Sequence, residues 1–396
     1  MRRTGLLIVI VLGLASATLA WRTAGRFDPR FLREPDGNDA WFEADLPVVA
    51  DRVLHRWSDQ SRNSRHPLFP LLTTLPVNVL KAAGLGDGAA LRTLIAAIAG
   101  LWTMAVCVLL QGVTRRRLDA LVFTALAHAS AAALFWLPVP DTYALGSITV
   151  MIPIALCAWD RGGSLGAAAY AATAAVSLSV TTSNWLTGIS AVIGRKPVRQ
   201  ALQIVANSLT AVVLLWGLQR IIFPTSAFFI GEGAQRRFIL PEGVAGIPAA
   251  LRAMFGHSMV MPAIELVPEA RWGTIMSVQH SGLASGGALG TVAILMWAGL
   301  LAAGAWALLA TPGPMRLPLT LALAGHVLVY SIYGEETFLY AIHILPLLVA
   351  VAACATQTRM RPVVLGIAAA LTVVAAMHNA SALTGALGFF ATGARP

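Results

Sequence analysis

The chain is built of long apolar runs separated by short polar links. The runs lie near residues 5–21, 89–111, 118–137, 144–159, 164–181, 184–194, 201–223, 286–310, 317–333, 341–357 and 362–378, with boundaries placed to within about three residues. A helix needs about 20 consecutive apolar residues to cross a bilayer. The pattern therefore predicts an all-α membrane protein, a polytopic bundle of about 11 helices forming one transmembrane domain over residues 1–396. The run at 184–194 is too short to cross alone and is expected to pair with the helix before it. The stretch from His66 to Ala83 is apolar enough to span, but Pro67, Pro70 and Pro76 disfavour a straight helix. It is read as a juxtamembrane or re-entrant helix, leaving two long outer segments, 22–88 and 224–285.

Composition supports lipid as the solvent. Of 396 residues, 57% are hydrophobic and 12% charged, with mean hydropathy +0.73; a soluble domain carries about 25% charged residues. The net charge of +10 raises nucleic acid as a partner, but the placement of the charges excludes it. Arg115-Arg116-Arg117, Arg161, Arg195-Lys196, Arg199, Arg316, Arg359 and Arg361 all fall on one side when the crossings are counted from an inside N-terminus. That is the positive-inside pattern. It predicts an inner-membrane, multi-pass protein and would be inverted for Arg115–Arg117 if 66–83 crossed. Cys107, Cys157 and Cys354 lie within apolar runs and read as small buried hydrophobes. Ala15-Ser16-Ala17 has the form of a signal-peptidase site, but an uncleaved first helix is expected; either way residue 22 onward lies outside.

The unusual polar residues gather on the outer side. The first outer segment holds Asp36-Gly37-Asn38-Asp39-Ala40-Trp41-Phe42-Glu43-Ala44-Asp45, then Arg52, His55 and Arg56, then Arg62-Asn63-Ser64-Arg65-His66-Pro67-Leu68-Phe69. Glu43 and Asp45 can share a divalent cation such as Mg or Mn, or divide the roles of base and orienter. Arg62, Arg65 and His66 can face a phosphate. A solvated amphipathic helix would also account for this composition. The turns Pro138-Val139-Pro140-Asp141-Thr142-Tyr143 and Tyr333-Gly334-Glu335-Glu336-Thr337-Phe338 place acids at helix mouths. Asp141 suits either a helix cap or a cavity role. Glu335, Glu336 and His343 are costly near lipid, which marks them as functional candidates.

The order of these features resembles the GT-C superfamily of polytopic glycosyltransferases, which includes protein O-mannosyltransferases, the aminoarabinose transferase of lipid A and oligosaccharyltransferase catalytic subunits. The resemblance rests on a first helix, Glu43-Ala44-Asp45 in the first outer loop, and His66-Pro67-Leu68-Phe69 entering the next apolar stretch. It covers about the first 200 residues. Leu68 replaces the second proline of the family's His-Pro-Pro-Leu motif. Asp141, and the polar break Thr181-Thr182-Ser183-Asn184-Trp185-Leu186-Thr187, sit where family members carry similar features. Leu339-Tyr340 stands where many members have Arg-Tyr, so a phosphate role there would fall to His343.

The resemblance implies transfer of a sugar from a polyprenyl-phosphate donor to a cell-envelope glycan, lipid or protein at the outer face of the cytoplasmic membrane. Asp45 would be the base, Glu43 its partner or a metal ligand, and Asp141 a further catalytic acid. Arg62, Arg65, His66, Glu335, Glu336 and His343 would bind substrate. A secondary transporter or flippase for a lipid-linked or anionic solute is the rival, and a non-catalytic relative a third reading. A transporter would place ionisable residues near mid-membrane and show paired repeats; here the acids collect at one face and no repeat is evident. In the second outer segment, Glu232, Gln235-Arg236-Arg237, His257, Glu265, Glu269, Arg271, Trp272 and His280 have no metal-site spacing and read as a solvated loop or a lid. His128 and His326 are expected to be packing residues. Asn379-Ala380-Ser381 matches the short glycosylation sequon.

Overall fold

The computed structural model describes residues 3–34, 37–60, 64–114, 116–229, 239, 246–269, 273–334 and 336–392. Apolar sequence becomes helix because hydrocarbon offers the backbone no hydrogen-bond partners. The first helix, α1, is Arg3–Ala24. Three short helices follow, α2 (Leu46–Leu54), α3 (Phe69–Leu72) and α4 (Thr74–Ala82), then the long α5 (Asp87–Thr114). The next stretch holds α6 (Arg117–Ala129), α7 (Ala131–Trp136), α8 (Thr142–Trp159), α9 (Ala167–Val180), α10 (Trp185–Ile193) and α11 (Val198–Ile222). After α12 (Gly246–Arg252), strands β1 (Glu265–Glu269) and β2 (Gly273–Ser277) form an antiparallel hairpin. Helices α13 (Gly287–Ala310), α14 (Arg316–Ile332), α15 (Ala341–Cys354) and α16 (Arg361–Leu387) complete the bundle.

Among the described residues, seven helical segments are long and apolar enough to cross a membrane, and two more, α9 and α14, are shorter and apolar. The chain is a multi-pass helical membrane protein. The expected count of eleven depends on α10 and on the α6–α7 pair, which are individually short. Helix α15 is the hub, with every residue from Ala341 to Cys354 buried. Small residues let its neighbours approach: a Cβ on Gly304 of α13 would run into the backbone of Val351 and Ala352. Lipid-facing positions such as Leu214, Trp306, Val373 and Met377 are exposed.

Two differences from the sequence reading matter. The expected single span at 118–137 is broken at Ser130, where the Ala131 and Ala132 N–H groups donate to the Met259 and Ser258 carbonyls at 3.0 Å each. Asn379 holds this break: its Nδ2 donates to the Ala129 and Met259 carbonyls, and its Oδ1 accepts from the Met261 N–H at 2.9 Å. Asn379 is fully buried, so it serves as a structural pin and not as an accessible sequon. The second long segment is only partly solvated where it is described: Glu265 and His280 are exposed, but His257 to Met261 are all buried. The break supplies the reason, because backbone groups freed inside a bundle must find protein partners. Glu232, Gln235, Arg236, Arg237, Arg271 and Trp272 lie outside the described residues.

The two ends of the bundle differ. The end with the basic links is pinned by an ion pair and a buried hydrogen bond: Arg361 donates to both oxygens of buried Asp119 at 2.9 and 2.5 Å, and Asp160 accepts from the Tyr170 hydroxyl at 2.8 Å. The other end, the loop end, carries the short helices, the hairpin and the candidate site.

Candidate functional site

The Glu43–Asp45 pair sits on a strained stretch held from below by aromatic rings. Trp41 and Phe42 are fully buried. Both pack on Phe135, at 5.6 and 5.7 Å between ring centroids, and Phe42 also meets Phe338 at 5.4 Å. The Ala40 carbonyl accepts from the Met276 N–H of β2 at 3.1 Å. Asp39, Phe42, Glu43 and Asp45 all have left-handed backbones, with φ of 58°, 49°, 58° and 52°. Such conformations cost about 1–3 kcal/mol each and collect at functional sites; burial of the two large rings offsets the cost. The result fixes Glu43 and Asp45 between the aromatic anchor and α2. Asp45 occupies the N-cap position of α2, but its side chain makes no capping hydrogen bond.

Asp141 meets the same region from α8. It caps that helix, its Oδ1 accepting from the Thr142 N–H and, at 3.3 Å, from the Tyr143 N–H. Its Oδ2 is buried without a hydrogen-bond partner, and the residue lines a small cavity of about 10 Å³ together with Phe69, Thr73, Leu137 and Pro140. That volume is at the lower limit for one water. Burial drives the carboxyl up to about 7, its hydrogen bonds pull the other way, and the charge of Asp45 adds a further upward push. One oxygen of Asp141 therefore caps α8, and the residue also borders the small cavity.

Arg65 and His66 are placed by the polar break between α9 and α10. The Arg65 carbonyl accepts from the Thr182 N–H at 3.0 Å, the Leu68 N–H donates to the Ser179 carbonyl at 2.7 Å, and His66 Nδ1 lies 2.8 Å from the Val180 carbonyl. The His-Pro stretch thus pairs with the end of α9. The charge of Arg65 reaches Tyr143 and Tyr340, that of Asp45 reaches Tyr143, and that of Glu43 reaches Tyr340. Glu43, Asp45, Arg65 and Asp141 therefore lie within electrostatic reach of Tyr143 or Tyr340 at the loop end.

The floor of that end is aromatic, which sequence reasoning missed. Four of the chain's five tyrosines, Tyr143, Tyr330, Tyr333 and Tyr340, gather there. Tyr330 and Tyr340 stack at 4.4 Å with 6° between planes. The Tyr330 hydroxyl shares a 2.8 Å hydrogen bond with His343 Nδ1. His343 is fully buried behind it, so the structure places it as support for Tyr330. The clue was the position of all four tyrosines at loop-end helix termini. Beneath the floor, Asn184 Oδ1, Thr187 Oγ1 and His326 Nε2 are buried without hydrogen-bond partners, and His343 Nε2 has no well-formed one. Asn184 Nδ2 donates to the Gly146 carbonyl at 2.9 Å.

Glu336 is held by the protein itself. Its Oε2 accepts from the Ser277 hydroxyl at 2.6 Å and the Val278 N–H at 3.2 Å, and its Oε1 from the Phe338 N–H at 3.2 Å. Gln279 Oε1 accepts from the Thr337 N–H at 2.9 Å. Burial raises the Glu336 carboxyl above its ordinary range, against those hydrogen bonds. This arrangement clamps the hairpin to the mouth of α15. Glu335 and Arg62 lie outside the described residues. His55 pairs with Asp51 at 2.8 Å on the exposed surface, and Arg56 donates to the Ile222 carbonyl. Among the described residues no group of three or more His, Cys, Asp or Glu side chains could hold a metal ion. Glu43 and Asp45 therefore belong to no such group among the described residues.

No family model matches the chain, and no curated protein matches it. Solved structures do. The crystal structure of ArnT from Cupriavidus metallidurans bound to undecaprenyl phosphate superposes with a TM-score of 0.59 at 14% identity, covering 98% of this chain and 77% of ArnT. The apo state of the same protein gives 0.59 at 15% identity, covering 98% and 78%. The fold is that of ArnT. The likeness of fold extends over nearly the whole chain, beyond the first 200 residues on which the sequence resemblance rests.

Proposed function

We propose that the protein is a GT-C-type glycosyltransferase that moves a sugar from a polyprenyl-phosphate donor to a cell-envelope acceptor. The observation that carries this reading is the grouping of Glu43, Asp45, Asp141 and Arg65 within electrostatic reach of Tyr143 or Tyr340, in the fold of a protein seen with undecaprenyl phosphate bound. The donor's lipid tail lies in the bilayer and its phosphate at the interface, so the reacting carbon comes to the end of the bundle where these groups meet. The loop end, with segments 22–88 and 224–285, faces the periplasm, and the basic links face the cytoplasm of an inner-membrane protein.

In the step itself the acceptor oxygen attacks the anomeric carbon and the bond from that carbon to the phosphate oxygen breaks. The lipid phosphate leaves with the electron pair. Asp45 takes the acceptor proton, and Glu43 orients it. Asp141 feels the charge of Asp45, so the proton is accommodated by a coupled pair of acids. Arg65 stabilises the departing phosphate, a charge that grows in the transition state; Arg62 and His66 are further phosphate candidates, and Glu335 remains a substrate-binding candidate.

The test is transfer from a panel of polyprenyl-phosphate sugars by purified protein in lipid. Asp45→Asn should lower turnover by about 10²–10⁴-fold while donor binding persists, because Asn keeps the shape but takes no proton. Arg65→Ala should weaken donor binding. Near-normal turnover in Asp45→Asn would remove Asp45 as the base. The unpartnered polar atoms of Asn184, Thr187 and His326 inside the bundle are what a transporter would also need. Absence of transfer by the unaltered protein across the panel, with uptake of a lipid-linked solute, would decide for that rival.

A further inference from the structure

A groove of about 590 Å³ runs along the outside of the bundle, away from the carboxylates. Its walls are α1 and α16, which pack separately on α5 and α6, and its floor is α6 and α7. On α1 it extends from Leu12 to Thr23, and on α16 from Thr372 to Thr384. At 1.5 Å per residue these stretches are about 16 and 18 Å long, close to half of the roughly 30 Å hydrocarbon core. The groove thus has the length of one leaflet and ends at the loop end of the bundle, where Arg26 lines its mouth.

The mouth is strongly basic. Four arginines, Arg22, Arg26, Arg30 and Arg33, fall within twelve residues. Counting crossings puts them on the side that the charge rule leaves poor in basic residues, so they need another reason to be there. Arg30 lies over the Phe390 ring at 4.4 Å, just beyond α16, and pairs with Asp28 at 2.8 Å. Asp28 is thus engaged by Arg30. Arg26 is exposed; its backbone N–H donates to the Thr23 carbonyl at 2.9 Å, but its guanidinium makes no hydrogen bond or ion pair among the described residues. An apolar slot one leaflet long, ending at an uncompensated guanidinium, matches a lipid with a phosphate head.

We propose that the groove between α1 and α16 binds one anionic phospholipid of the loop-end leaflet, its acyl chain along the slot and its phosphate on Arg26. This lipid is resident and is not consumed. The inference is independent of the glycosyltransferase reading. It has a consequence for the site all the same, because Leu137 lines both the groove and the small cavity at Asp141. The acyl chain backs the strip that leads to Asp141.

The experiment uses the full chain, purified and delipidated in detergent, with lipid retention read by native mass spectrometry and by thermal midpoint. Phosphatidylglycerol and phosphatidylcholine with identical acyl chains are added in turn. The unaltered protein should retain phosphatidylglycerol about fivefold better, the factor one arginine supplies near an anionic head. Arg26→Gln should bring the ratio near one while phosphatidylcholine retention stays the same. Ala380→Trp and Ala125→Trp, each at an exposed groove position, should lower retention of both lipids, with the lipid-free midpoint checking that each variant folds. Equal retention by the unaltered protein, or an undiminished preference in Arg26→Gln, overturns the proposal. So does recovery of the bound lipid carrying a sugar, or its displacement by polyprenyl phosphate in a manner blocked by Ala380→Trp, since the groove would then be a substrate site.

Discussion

Asp141 links pH to two properties with opposite signs. Its carboxyl is pushed from 3.8 to about 7 mainly by burial. The folded-state value is above the unfolded one, so the folded protein holds a proton that the unfolded chain releases between those limits. This contribution to stability is fully present in acid and is lost as pH rises through about 7. Ionisation should, in contrast, help the pair Asp45–Asp141 take a proton from the acceptor. The thermal midpoint should therefore fall as pH rises from about 4 to about 7 and level off above that, while the transfer rate rises through about 7. In Asp141→Asn the fall in midpoint over that window should flatten, and transfer should drop by about 10²–10⁴-fold. A midpoint profile identical to that of the unaltered protein would mean that Asp141 does not titrate there.

At the scale of elements, breaks in helices are where the site is made. The break at Ser130 lets the segment around Met259 insert, the break at Thr181–Asn184 receives Arg65 and His66, and the clamp at Glu336 ties the hairpin to α15. Glu336→Gln should weaken this clamp by about 1.5–3 kcal/mol, since a charged acceptor with several donors is replaced by a neutral one. Limited proteolysis at the hairpin should then be faster; cleavage at the original rate would show that the clamp is not limiting. Gly146 tests the polar floor. A Cβ there would lie 2.5 Å from His343 Nε2 and 3.2 Å from Asn184 Nδ2. Both side chains are buried and cannot swing away, so Gly146→Ala should destabilise by about 1–3 kcal/mol. Its effect should appear as a lowered midpoint even in protein that is not turning over.

For the whole molecule the open property is orientation. Cysteines placed at the exposed positions Trp57 and His280 should react with an impermeant reagent added to the outside of intact cells, whereas those at Gly162, Arg199 and Arg359 should not. The native Cys107, Cys157 and Cys354 are all buried and leave a quiet background. Labelling at Arg359 without labelling at Trp57 would invert the assignment and move the site to the cytoplasm. The fold itself is compatible with a loop-end active site because the long connections, the hairpin and the four tyrosines all lie there, while the other end is closed by Arg361–Asp119 and by Tyr170–Asp160.

The multi-pass helical class, the approximate helix positions and the gathering of Glu43, Asp45 and Asp141 at one end were legible in the sequence. Each depends on a one-dimensional property: apolar length against bilayer thickness, and the side reached by counting crossings. The break at Ser130, the Glu336 clamp, the role of His343 behind Tyr330 and the stacked tyrosine floor were not legible. They are pairings between groups far apart in the chain, such as Asn379 with Ala129 and Ser277 with Glu336. A buried polar group takes whichever partner the packed bundle brings to it. Only the tertiary structure decides that partner, and so decides which of the acids, such as Glu336, hold the protein together.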